Sequence, residues 1–378
     1  MPNISASDLN EYIRSAGHTG SKELTALVQK VLQPERLSIE EAFTLYNQAP
    51  LALLGMLADY IRVQKNGDDA YFIRNFHIEP TNICVHECLF CSYNHRYAGE
   101  NWEISPEELT GKIRASDPDA VEVHITGGVH PNRDIYYYAD FIRAIRQERP
   151  QLHIKAYSAI ELDYMFKKSG LNIEQGLKIL IDAGLDSIPG GGAEIFDPEI
   201  RRQICKDKTD GARYLEIHEI AHKNGLRSNT TILYGHIETI MHRLEHLGQL
   251  RQLQDRTNGF MAFIPLKFRN KNNKMSHIQE VPVIEDLRFY ALSRIFLDNF
   301  THIKAYWPML GKPISQLMLS FGVDDLDGTI EDSTRIYTLA GSEEQNPGMT
   351  TGEFTAWVKA AGRTPVERDS LYNKIKTY

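Results

Sequence analysis

The sequence predicts an α/β protein built on a (β/α)8 barrel of the TIM type, with helices ahead of it and a short extension behind. Three observations carry this. Short runs of strand character at 72–79, 121–126, 152–158, 185–189, 226–233, 260–265, 302–307 and 321–325 alternate with helical patterns, as repeated βα units do. Eight such units fit within residues 71–335, the span that a closed α/β barrel requires. Residues 1–70 show helical periodicity without a strand pattern.

The elements follow in order. Ser38 with Glu41 forms a capping box ahead of Ala42, Phe43, Leu45 and Tyr46, and Gly67 followed by Asp68 and Asp69 closes the next helix. No Gly/Ser- or Pro-rich linker follows. Residues 1–70 are therefore expected to cap the barrel at 71–335, with 336–378 packing on it as an extension. Ser105, Pro106 and Glu108 mark the clearest helix start between strands. The last two strands carry the weakest pattern, which leaves a six-stranded open barrel as the alternative. His-Ile-Lys-Ala-Tyr occurs at 153–157 and again at 302–306, on the third and seventh strands, an echo too short to establish a repeat. Residues 343–348 read as an exposed turn and 350–361 as a terminal helix.

Composition narrows the function. The 378 residues, 42% hydrophobic and 24% charged, describe an ordinary globular protein. A net charge of −8 gives little attraction for nucleic acid. The longest apolar run, 49–58, contains Pro50 and is too short to cross a bilayer. Met1 to Asn10 lacks a basic stretch followed by an apolar one, so a cytoplasmic location is expected. Four cysteines are too few for a disulfide framework, and three of them crowd into one loop.

That loop follows the first strand and reads Glu79-Pro-Thr-Asn-Ile-Cys84-Val-His-Glu-Cys88-Leu-Phe-Cys91. CxxxCxxC spacing aims three thiolates at one small inorganic object, and thiolates are soft ligands suited to iron–sulfur clusters or zinc. Electron-carrying clusters and many structural zinc sites take four cysteines. Held by three, a 4Fe–4S cluster keeps one iron open to a small molecule. A zinc site would need His86, His95 or Cys205 as its fourth ligand. Cys205 instead suits the buried side of a helix that also carries Ile200 and Ile204.

With Phe90 just before the third cysteine, this loop resembles the cluster loop of the radical S-adenosylmethionine (SAM) superfamily. The resemblance implies a 4Fe–4S cluster on Cys84, Cys88 and Cys91, with SAM chelated at the open iron and split by one electron into methionine and a 5′-deoxyadenosyl radical. That electron would come from a donor such as flavodoxin or ferredoxin. Gly127 and Gly128, closing the second strand, resemble the superfamily's GGE motif that meets the methionyl amine, although Val129 stands where the acid belongs. Tight turns need glycines in any case. Ser158 and Glu161 sit just past the third strand, where Glu161 could meet the ribose or the amine, but they also satisfy a capping box. Three glycines at 190–192 offer a backbone surface for a ligand. An arginine on the helix that follows clamps the cofactor carboxylate in related barrels, and Arg201 matches that position better than Arg202. A solvated helix face is the plainer reading.

Asn229 and Thr231 share one face of the fifth strand, and His77, Glu79, His124, Thr126, Lys155 and Tyr157 extend the same logic to the first three strands. Barrel cores are normally filled by branched aliphatics, so this concentration of polar groups predicts a functional cavity.

Longer stretches resemble the aminofutalosine synthase family: His77 to Cys84, His153 to Ala156, Ile188 to Glu194, Tyr234 to Thr239, Ala262 to Leu266, His302 to Trp307 and Asp325 to Thr329. The resemblance implies that SAM is a consumed co-substrate. Its deoxyadenosyl radical adds to the enol ether of 3-[(1-carboxyvinyl)oxy]benzoate; rearrangement and decarboxylation then give 6-amino-6-deoxyfutalosine on the route to menaquinone. Such a dicarboxylate calls for donors, and His77, His124, Lys155 and Lys304 are the candidates. Glu79 and His236 are the candidates for proton handling. The alternatives are a hydrogen-abstracting sister enzyme, dehypoxanthine futalosine cyclase or deazaflavin-synthase-like, and a non-catalytic metal or electron-transfer protein.

Overall fold

The computed structural model describes residues 5–15, 22–329 and 335–378. The first strand run divides at Arg74 into β1 (Asp69–Ile73) and β2 (Asn75–Ile78). From β2 a parallel sheet of seven strands runs in chain order through β3 (Glu122–Ile125), β4 (His153–Ala156), β5 (Ser187–Ile188), β6 (Arg227–Tyr234), β7 (Phe260–Lys267) and β8 (His302–Ile303). Strands in chain order joined by crossover helices curl the sheet in one direction. A bridge between Lys304 and Asp325 then leads to β9 (Asp325–Gly328), which pairs in parallel with β1 and brings the circuit back to its start. The expected (β/α)-barrel architecture is present, with its thinnest contacts between β8 and β9.

The division at Arg74 has a physical cause. One edge of β1 takes β9, and the other takes β10 (Thr364–Arg368), itself edged by antiparallel β11 (Lys374–Thr377). Only β2 is left to pair with β3. The Arg74 guanidinium fixes the junction by reaching Glu367 at 2.7 Å and Asp119 at 2.8 Å. The last barrel strand starts later than the 321–325 expected from sequence. The Asp324 carboxylate is drawn off by Arg294 and by His302, while Gly322 turns the chain at φ 92°. Tyr157, expected inside the barrel, adopts φ 61° and turns outward, donating to the Tyr138 carbonyl at 3.1 Å.

Helix starts follow the capping rules. Ser38, Ser105 and Ser158 each form a capping box with the glutamate three residues on, and Pro106 occupies the first turn of its helix. The amino-terminal helices pack against the barrel's outer layer: Leu51–Asn66 lies on Val283–Phe296, and Ile39–Gln48 on Ile240–Thr257. Leu53, Leu54 and Leu57 are fully buried there, each contributing roughly 2 kcal/mol. No helix among the described residues is long and apolar enough to cross a membrane.

Candidate active site at the carboxyl ends of the barrel strands

The carboxyl ends of the strands open onto a cavity of about 280 Å³. Cys84, Cys88 and Cys91 all stand on its wall. Their loop is held from both sides. The Thr81 hydroxyl donates to the Trp102 carbonyl, the Asn82 amide to the Glu100 carbonyl and the Asn94 amide to the His86 carbonyl, each at 2.7 Å. From β3, the Gly128 N–H donates to the Thr81 carbonyl at 2.7 Å, and the Val85 N–H to the Val129 carbonyl at 2.9 Å. Gly128 must be glycine for this approach, because a Cβ there would lie 2.5 Å from the Ile83 carbonyl oxygen. At Gly127 the corresponding distance to the Thr81 carbonyl is 2.9 Å. These two residues line the cavity and also allow the cysteine loop to dock.

Burial pushes the Cys88 thiol well up, and burial with the neighbouring Cys84 pushes Cys91 up. A metal group displaces such protons on binding. The backbone N–H groups of Tyr93 and Asn94 and the Lys208 ammonium oppose the rise at Cys91. Among the described residues no three His, Cys, Asp or Glu side chains are placed around a single metal ion. Three thiols sharing one cavity wall form the soft ligand set that an iron–sulfur cluster or zinc takes. His95 is occupied otherwise, its Nδ1 accepting from the Cys84 N–H at 3.3 Å, and Cys205 is buried on the helix Pro198–Cys205.

Phe90, Ser158, Glu161, Asn229, Thr231, His77 and Glu79 also reach the cavity wall. Glu161 is both a helix cap and part of that wall. It accepts from the Ser158 N–H at 2.8 Å, the Ser158 hydroxyl at 2.6 Å, the Thr126 hydroxyl at 3.0 Å and the Gly127 N–H at 3.2 Å, while burial raises its carboxyl above the ordinary range. The Thr231 hydroxyl donates to the Gly190 carbonyl at 2.8 Å and anchors the glycine run. Glu79 accepts from the backbone N–H groups of Arg335 and Ile336, at 3.2 and 3.3 Å.

Three expected site residues lie elsewhere. Lys155 sits on β4 level with His124, but its ammonium is engaged by Glu122 at 2.6 Å, away from the cavity wall. Arg201 donates to the carbonyls of Gly192, Ala193, Ile195 and Thr209, so it binds loop to loop and offers no fork to an anion. His236 is enclosed between Glu238, 3.1 Å from its Nδ1, and the Leu233 carbonyl, 3.1 Å from its Nε2. Lys155 and Arg201 are taken up by protein groups and the His236 Nδ1 faces Glu238 without a hydrogen bond, distinctions that residue type alone does not reveal.

The cavity also recruits residues that the sequence did not single out: Lys208, Lys267, Arg269, Asp327 and Tyr337. Lys267 and Arg269 directly follow the strand run at 260–265, so the rule that barrel strand ends face the site reaches them. Lys208 carries no such signal. Burial works against its charge, but Cys88 and its ion-pair partner Glu194 hold its pKa up, and its ammonium lies 5.4 Å from the Phe90 ring centre.

Comparison with known proteins agrees with this arrangement. Residues 78–250 match the model of the radical SAM superfamily, and residues 257–377 match that of the CofH/MqnC C-terminal region. An aminodeoxyfutalosine synthase from Thermus thermophilus is 40% identical over 361 residues, covering 94% of this chain and 96% of that one. The chain belongs to the radical SAM superfamily. A cyclic dehypoxanthine futalosine synthase from Streptomyces coelicolor is 34% identical, covering 94% of this chain and 90% of its own. The crystal structure of methylornithine synthase superposes with a TM-score of 0.71 at 17% identity, over 90% of this chain and 97% of that one, a likeness of fold. Radical SAM proteins work with a 4Fe–4S cluster and SAM, and the three-thiol wall fits that cofactor set.

Proposed function

We propose that this radical SAM protein is an aminodeoxyfutalosine synthase. It transfers the deoxyadenosyl group of SAM to the enol ether of 3-[(1-carboxyvinyl)oxy]benzoate, with loss of the enol-ether carboxylate as carbon dioxide or bicarbonate. The products are 6-amino-6-deoxyfutalosine and methionine. The single observation that carries this reading is 40% identity to a synthase of that name along nearly the whole of both chains.

When bound, the cluster and SAM supply a 5′-deoxyadenosyl radical once one electron is delivered. In this reading Cys84, Cys88 and Cys91 hold the cluster. Phe90, Gly127, Gly128, Ser158, Glu161, Asn229 and Thr231 shape the wall for SAM. Glu161, with four donors fixed on it, keeps the end of β3 against the first turn of the helix Ala159–Lys168. Holding two reactants in one orientation is the protein's main contribution, since well-oriented partners gain roughly 7–11 kcal/mol against a bimolecular encounter. Arg201, Lys155 and His236 act as scaffold, and Glu79 secures the chain at 335–336 over the cavity. A flavodoxin or ferredoxin would donate the electron, in the cytoplasm, and the barrel spans 71–335 between a cap at 1–70 and an extension at 336–378.

Anaerobic reconstitution, dithionite reduction and mass analysis with SAM and the enol-ether benzoate test the reading. An adenosylated product is expected. Stoichiometric free 5′-deoxyadenosine would instead indicate hydrogen abstraction, as in a sister enzyme.

A further inference from the structure

His77 and His124 face each other from β2 and β3 at the same register, their ring centres 4.7 Å apart and nearly perpendicular. Both line the cavity, and His77 is only 7% exposed. No described residue hydrogen-bonds either imidazole, and the Nε2 of each is shut off without a partner. The Asn229 Oδ1, on the same cavity wall, is likewise unpartnered. Buried polar groups are nearly always satisfied, so adjacent unsatisfied rings in a cavity mark a place where a ligand supplies the missing partner. Several other interior histidines have at least one ring nitrogen paired, His153 with Ser187, His218 and His222 with Ser228, His246 with the Thr231 carbonyl and His302 with Asp324, although the second nitrogen of His218 and of His246 is also without a partner.

We propose that His77 and His124 form a carboxylate subsite that takes the aryl carboxylate of the substrate through imidazole N–H donors. The inference rests on the functional reading above. The charges around the pair are already matched, Lys155 with Glu122 at 2.6 Å and Lys304 with Asp327 at 3.2 Å, so neutral donors remain for the anion. Burial holds both imidazoles below the usual histidine range, in the neutral form. Depth selects which carboxylate. The cysteine loop lies beyond the strand ends, whereas His77 and His124 sit a tier lower inside the barrel. The vinyl carbon must meet C5′ near the cluster. Of the two carboxylates, the one on the benzene ring lies farther from that carbon and therefore points inward.

Isothermal titration of the cluster-loaded protein with SAM present tests this with benzoate, methyl benzoate and 2-methoxyacrylate as probes. Wild type is expected to bind benzoate and to reject the ester. His77→Phe and His124→Phe should each weaken benzoate at least tenfold and leave 2-methoxyacrylate unchanged. His77→Asn and His124→Asn, which keep a donor near the Nδ1 position, should recover part of the affinity. Iron content and thermal midpoint at wild-type level verify that each variant folds. Equal benzoate affinity in wild type and both Phe variants would overturn the subsite. So would loss of 2-methoxyacrylate alone, or no benzoate binding by wild type. Failure of the functional reading looks different: histidine-dependent benzoate binding with no adenosyl adduct from the enol ether.

Discussion

The two ends of this barrel treat buried polar side chains differently. At the amino-terminal ends of the strands, His153 meets the Ser187 hydroxyl at 2.7 Å, and the Ser228 hydroxyl lies 2.8 Å from both His218 and His222. Toward the carboxyl ends, His77, His124 and Asn229 carry atoms with no protein partner. At the first end each ring has at least one partner, although His218 Nε2 has none; at the other, neither ring of the His77–His124 pair has any among the described residues. Satisfied groups rigidify a core, and unsatisfied ones cost free energy until something binds. The contrast adds to what polarity says, and it sets Lys155 and Arg201, whose donors are taken up by protein groups, apart from the open pair.

Several experiments can break or sharpen that contrast. The largest effect belongs to the cysteines: Cys84→Ala, Cys88→Ala and Cys91→Ala should each abolish product formation and lower bound iron, while Cys205→Ala keeps wild-type iron content in a colorimetric assay. Loss of iron in Cys205→Ala would place that thiol in the site. Next, Lys155→Met leaves Glu122 buried and unpaired, so urea unfolding should show a loss of about 3–5 kcal/mol, with partial recovery on adding Glu122→Gln. An activity defect without that loss would return Lys155 to the cavity.

Burial makes histidines packed outside the cavity acid-sensitive. It holds His246 at about 3 and His222 at about 4, against roughly 6.5 when unfolded. Below 6.5 the unfolded chain binds the extra protons, so stability is complete above that pH and falls as pH drops toward 4. Each histidine should cost about 2 kcal/mol at pH 5, measured by urea unfolding against pH, and His246→Phe should flatten the slope. The smallest effect distinguishes two glycines of the cavity wall. Gly128→Ala should lower iron content by pushing on the Ile83 carbonyl, whereas Gly191→Ala should not, because its added carbon would lie 3.8 Å from the Ser158 Cβ, an ordinary contact.

Much of this architecture is legible in the sequence because it is local. Period-two runs locate the barrel strands, capping boxes start the helices at Ser38, Ser105 and Ser158, and the cysteine spacing identifies the loop. What is hidden depends on neighbours distant in the chain. Alternation turns both His124 and Lys155 inward, yet only the β3–β4 register reveals that Glu122 claims the lysine. Arg201 reads as an anion clamp until the loop folds back and presents four carbonyls. The short, charged strand β10 gains its pairing from the free edge of β1 and in turn carries β11, and Lys208 reaches the cavity only through the fold around Glu194.

The most direct test of the central claim is electron paramagnetic resonance of the reduced, cluster-loaded protein before and after SAM is added. Three thiolate ligands and one open iron predict a clear change in the cluster signal on addition, retained in Cys205→Ala. An unchanged signal in the wild-type protein would contradict the account.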